Sequence, residues 1–133
     1  MLHTITSLSL RQVLLFDAIA TGATALLLAT SAGLLAGPLG LPEALLRGAG
    51  LVLVPFVALV AWTAFREPSP TGAVLTIIAG NVIWVAASLL LLISGYVAPT
   101  LAGYGLVTAQ ALVVGLFAEL QMIALRRSRA IEA

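Results

Sequence analysis

The sequence predicts an all-α integral membrane protein, a four-helix up-down-up-down bundle, on three observations. Hydrophobic side chains make up 62% of the 133 residues and charged ones 8%, against about 45–50% and 25% in soluble domains. A chain this short cannot hide that excess in one core, because small domains bury the smallest share of their surface. Lipid is therefore the expected solvent for much of it. Four apolar runs, over 12–36, 48–65, 71–95 and 101–125, approach or exceed the ~20 residues that cross about 30 Å of hydrocarbon at 1.5 Å per residue. Gly- and Pro-containing breaks at 37–42, 66–70 and 96–99 separate them, as loops leaving a bilayer should. Continuous apolar runs without period-2 alternation argue against a β-barrel. One transmembrane domain is expected over 1–133, with 126–133 as a tail.

The first run follows Arg11 and carries Asp17 inside it. Its length and that carboxylate point to a retained helix rather than a cleaved signal segment. Asp17, Thr21, Thr24 and Ser31 share one side at 100° per residue. Ala25, Ala29, Gly33 and Gly37 form a row of small residues at four-residue spacing, the pattern of a close helix–helix contact. In the second run Pro55 is expected to free the carbonyl of Leu51 and bend the helix. The third run places Asn81, just after Gly80, near the bilayer midplane, with Trp84 nearly one turn further on. Along the fourth, Thr108, Gly115 and Glu119 share a side, with Gln110 and Gln121 roughly opposite.

A short internal similarity links the second and fourth runs. Gly48-Ala49-Gly50-Leu51-Val52 opens one and Gly103-Tyr104-Gly105-Leu106-Val107 opens the other, which raises the idea of two duplicated hairpins in parallel orientation.

Arginine placement sets the expected orientation. A four-helix reading puts Arg11, Arg66, Arg126, Arg127 and Arg129 on one side and Arg47 alone on the other. Arg-rich short loops stay cytoplasmic, so both termini are expected on the cytoplasmic face of a bacterial inner (plasma) membrane. Trp62, Tyr96 and Tyr104 then fall at interfacial positions.

Ionisable side chains within such helices are costly, by about 2.5–3.5 kcal/mol, and are the first candidates for a site. Asp17 lies six residues past Arg11 and Glu119 seven before Arg126, which sets both about 9–11 Å inward. The first and fourth helices of such a bundle are neighbours, so the two carboxylates are expected to face one another. That pairing suits proton or cation handling; it equally suits a lock in which Arg11, Arg126 or Arg127 snorkels inward to a carboxylate. Asn81 needs amide partners in the same setting. Asp17, Asn81 and Glu119 form the candidate polar site, with Thr21, Thr24, Gln110, Gln121 and Trp84 in support. Polar groups on two sides of the fourth helix call for a second protein surface, in a homo-oligomer or with a partner subunit.

Other functions have little footing. A net charge of +1 offers nucleic acid no electrostatic pull. With no Cys and one His, His3, thiolate chemistry is excluded and a metal site is not expected. No phosphate-binding Gly-rich loop, zinc-protease or serine-hydrolase motif occurs, so neither an enzyme nor a cofactor is expected.

Gly80-Asn81-Val82-Ile83-Trp84-Val85, Ala118-Glu119-Leu120-Gln121 leading into Arg126-Arg127, and the opening Phe16-Asp17-Ala18 resemble small, largely uncharacterised four-helix bacterial membrane proteins. That resemblance covers most of the chain and implies no activity. Size and helix count are also similar to the small multidrug-resistance transporters, but their carboxylate sits centrally in the first helix and Asp17 lies near its start. The leading expectation is a non-enzymatic membrane subunit or oligomeric scaffold. The alternatives are a small proton- or cation-coupled transporter or channel, and a lipid- or pigment-binding protein.

Overall fold

The computed structural model describes residues 8–132, and side chains through Ala130. His3 lies outside the described residues. The chain is all-helical: α1 is Leu10–Leu39, α2 Glu43–Ala64, α3 Thr71–Ser94 and α4 Leu101–Glu132. All four are long and apolar enough to cross a membrane. The helix bounds differ from the sequence-derived runs mainly at the start of α2 and at the end of α4, which continues through the expected tail to Glu132. Ser9 opens α1 with a reciprocal capping box, its hydroxyl accepting from the Gln12 amide while the Gln12 side chain accepts from the Ser9 amide, which satisfies two otherwise unpaired donors. Gly40 closes the same helix at φ 66°, a left-handed conformation that costs glycine little.

Helix neighbours run α1–α2, α2–α3, α3–α4 and α4–α1. The seam between α2 and α3 is the sparsest of the four, and the α1–α2 pair is the closest. Backbone proximity explains the latter: a Cβ added at Gly50 would stand 2.6 Å from the Ala29 nitrogen and 2.9 Å from the Ala25 carbonyl oxygen. Ala25 and Ala29 from the small-residue row therefore meet Gly50 of α2. Gly33 instead faces the Glu43 side chain, and Gly37 has nothing within 4 Å. The two Gly-containing repeats are used differently, since Gly50 and Gly103 meet α1 closely whereas Gly48 and Gly105 face open space.

Pro55 sits inside α2, which runs through it from Glu43 to Ala64. A break in helical geometry occurs in α1 at Ser31 (φ −119°, ψ 16°), about two turns before Pro38. The end of α1 is tied to the start of α4: the Thr100 hydroxyl donates to the Pro38 carbonyl at 2.7 Å and its amide to the Leu39 carbonyl at 3.1 Å.

Two apolar clusters fill the bundle. The larger draws on every helix, with Leu14, Val60, Ala64, Val74, Ile77, Ala118 and Leu125 among its members. The smaller comprises Ala32, Leu39, Leu41 and Leu46 at the other end of α1. Much of the remaining apolar surface points outward on all four helices; Leu34, Ile83, Leu112 and Val52 are each more than 60% exposed.

Candidate functional site

Three helices converge on Asp17. It is 1% exposed, and both carboxylate oxygens are occupied. Oδ1 accepts from the Thr21 hydroxyl at 2.7 Å, one turn along α1. Oδ2 accepts from Asn81 Nδ2 of α3 at 3.0 Å and from Gln121 Nε2 of α4 at 2.6 Å. Asn81 Nδ2 also donates to Gln121 Oε1 at 3.0 Å, so the two amides bond to each other as well as to the acid. A carboxylate can only accept, and its presence orients both amides with their NH2 groups inward. Gln121 is fully buried and Asn81 3% exposed.

Glu119 does not join this cluster. It is exposed on the outer face of α4, and Gln121 takes the place opposite Asp17. Two residues turn a helix by about 200°, so only one of the pair can face inward. The physical reason favours the amide: Gln121 supplies a donor to Asp17, whereas a second carboxylate would supply another acceptor and a repulsion. Among the described residues the partners of Asp17 are Thr21, Asn81 and Gln121, and not the expected arginine. Arg11 lies about 120° around α1 from Asp17; it pairs with Glu67 at 3.4 Å and stands 5.7 Å over the Phe65 ring. Arg66 covers the Trp62 ring at 5.1 Å, and Arg127 Nη1 donates to the Leu8 carbonyl at 3.4 Å. The guanidinium groups of Arg11, Arg66 and Arg127 thus gather at one end of the bundle, Arg47 pairs with Glu43 at the other, and neutral donors hold the acid.

A second polar layer lies about 10–16 Å further along the axis, by the 1.5 Å rise per residue. Trp84 Nε1 donates to Gln110 Oε1 at 2.8 Å, Gln110 Nε2 donates to the Ser88 hydroxyl oxygen at 3.0 Å and to the Val107 carbonyl at 3.0 Å, and Ser88 donates to the Trp84 carbonyl at 2.7 Å. This layer ties α3 to α4 only. Ser88 escaped the sequence reading, yet it shares a face with Asn81 and Trp84 at three- and four-residue steps. Thr24 turns its hydroxyl to the Ala20 carbonyl at 2.9 Å, the ordinary intrahelical use of a threonine.

The loose α2–α3 seam leaves a groove open to the side of the bundle, where the lining residues Val52 and Ile83 are exposed. A cavity of about 520 Å³ runs between Thr21 and Asn81 at one end and Trp84 and Gln110 at the other, walled by Phe56 and Phe117. A second, of about 340 Å³, continues past Thr24, Trp84 and Gln110, which line both, towards Leu39 and Leu41. Among the described residues no group of three His, Asp or Glu side chains could hold a metal ion. No protein-family model, no curated protein sequence and no solved structure matches this chain.

Proposed function

We propose that this chain is an integral membrane protein, an up-down-up-down bundle with both termini on the cytoplasmic side of the plasma membrane. In this reading it serves as a non-enzymatic subunit or oligomeric scaffold. Four apolar helices with outward-facing Leu, Ile and Val support the insertion. The arginine-rich end supports the orientation, because Arg-bearing short loops are retained inside.

The closure of Asp17 carries the functional part. A carboxylate that carries protons or cations needs an open oxygen for its cargo to reach. Here both oxygens are taken by neutral donors from α1, α3 and α4, an arrangement that holds helices together. Glu119 supports the subunit or scaffold role. It lies on an outer face with Leu112, Leu116 and Ile123, where lipid alone would leave a carboxylate at a cost of about 2.5–3.5 kcal/mol at the helix centre on translocon scales. A second copy or partner subunit with a donor at that height removes the cost.

The test combines assembly and transport. Wild type, Asp17→Asn and Glu119→Gln are purified in a lipid-preserving extract, sized, and reconstituted into proteoliposomes under a proton gradient. The expected result is an oligomer or complex that Glu119→Gln weakens, with proton leak no greater than in empty vesicles. A proton flux that Asp17→Asn abolishes while assembly persists would replace the scaffold by a transporter.

A further inference from the structure

The polar atoms lining the larger cavity are unequal in one respect. Trp84 Nε1 and Gln110 Nε2 are spent on each other's layer, the Thr21 hydroxyl on Asp17 and the Thr24 hydroxyl on the Ala20 carbonyl. Asn81 Nδ2 is spent on Asp17 and Gln121. Asn81 Oδ1 accepts nothing from the described residues. No fully buried side-chain nitrogen or oxygen among them lacks a partner, so this oxygen is open, and the space that Asn81 lines is the cavity. The result is an apolar groove whose free polar side-chain atoms, among the described residues, are all acceptors: Asn81 Oδ1, on a side chain 97% buried, and the lone pairs left on the Thr21 and Thr24 hydroxyls.

We infer that this groove binds a long-chain apolar alcohol, its hydroxyl donating to Asn81 Oδ1 and its chain running past Trp84 towards the α1–α2 turn. The chemistry selects that class. An anionic head would find no free donor on the lining, and a cationic head no open carboxylate, since both Asp17 oxygens are occupied. A neutral hydroxyl supplies the hydrogen that Asn81 Oδ1 lacks. Size agrees: about 520 Å³ falls inside the roughly 300–1,000 Å³ of small-molecule pockets. The chain has room as well, because Asn81 to Leu91 on α3 spans about 15 Å and the adjoining 340 Å³ is lined by Leu28, Leu46 and Leu91. The sparse α2–α3 seam offers a side entrance. This site does not depend on the scaffold reading, which concerns Asp17 and the outer face of α4.

Farnesol tests it, with farnesyl methyl ether as a matched probe that lacks the donor. The chain has two Trp residues, so Trp62→Phe leaves Trp84 as the sole indole reporter in the purified full chain. Farnesol is expected to change Trp84 emission saturably, with the ether about five- to ten-fold weaker, the worth of one hydrogen bond. Ala87→Phe, which fills the space beside both cavities while leaving the Asp17 cluster intact, is expected to abolish the saturable signal. Asn81→Leu is expected to equalise the two probes; if that variant does not fold, Ala87→Phe alone still decides occupancy. Equal binding of alcohol and ether by the Trp62→Phe protein would overturn the hydroxyl assignment and leave a groove for ordinary acyl chains. A farnesol response unchanged by Ala87→Phe would overturn the site. Oligomer size, read on the same samples, separates either failure from a failure of the scaffold reading.

Discussion

The two halves of the bundle are built differently. At the arginine-rich end, residues from all four helices interlock around Leu14, Val60, Val74 and Ile77, and Asp17 draws α1, α3 and α4 onto one carboxylate. At the other end the buried members of the apolar cluster come from α1, α2 and the turn after α1, with Val107 of α4 and Val97 of the loop before it packed against them, while α3 and α4 are bonded to each other through Trp84, Gln110 and Ser88. Between the two, the bundle opens into connected cavities. One half is closed by a polar hub shared among three helices; in the other the polar side chains within the helices pair inside the α3–α4 hairpin, and only Thr100 at the loop end crosses to α1. Hydrogen bonds are directional and few, so where they cross between hairpins decides where the helices are drawn together.

That contrast can be broken most severely at its hub. Asp17→Leu strands the donors of Thr21, Asn81 and Gln121 at once, and each stranded buried donor costs about 1–3 kcal/mol. The expected loss is about 3 kcal/mol or more by the same reckoning, read as thermal or denaturant unfolding of purified protein. A loss below about 1 kcal/mol would mean that the three helices meet without the carboxylate's help.

A packing change comes next. Gly50→Ala pushes a methyl group against the Ala25 and Ala29 backbone, an overpacking expected to cost about 1–3 kcal/mol. Gly37→Ala is its control: with nothing within 4 Å, it should be neutral or stabilise by up to about 1 kcal/mol through helix propensity. If instead Gly37→Ala disrupts oligomer size, the Gly33–Gly37 row belongs to the contact between subunits.

The open half should be the least sensitive. Gln110→Leu removes the hub of the Trp84–Ser88 layer and is expected to cost about 1 kcal/mol, near the average for a hydrogen bond between membrane helices. Trp84 emission should shift as its indole N–H loses its acceptor. A cost equal to that of Asp17→Leu would erase the distinction between the halves.

Much of this architecture is legible from residues alone. Apolar runs bounded by Gly, Pro and Arg locate four helices because hydropathy and turn chemistry are local properties. Asp17 and Asn81 stand out for the same reason, since a polar group in an apolar run needs a partner wherever the run folds. The rotation of α4 was harder to read. Glu119 and Gln121 are both polar, close in height and about 200° apart, so periodicity alone leaves either one facing Asp17. What decides is donor–acceptor complementarity, a property of the pair rather than of either residue. Arg11 shows the same limit: its height suited a carboxylate, but its azimuth directs it to Glu67. The cavity was the least legible feature, because it arises from the unequal spacing of helix pairs and no single residue encodes it.

The central claim is that Asp17 and Gln121 act as one unit joining α1 to α4. A double-mutant cycle measures that directly, using Asp17→Asn, Gln121→Leu and their combination in the purified full chain, with unfolding free energies read under one lipid condition. A closed hub predicts strong non-additivity, with a coupling of about 1–3 kcal/mol between the two positions. Additive losses, agreeing to within about 0.5 kcal/mol, would contradict it and show that the carboxylate and the amide stabilise the bundle independently.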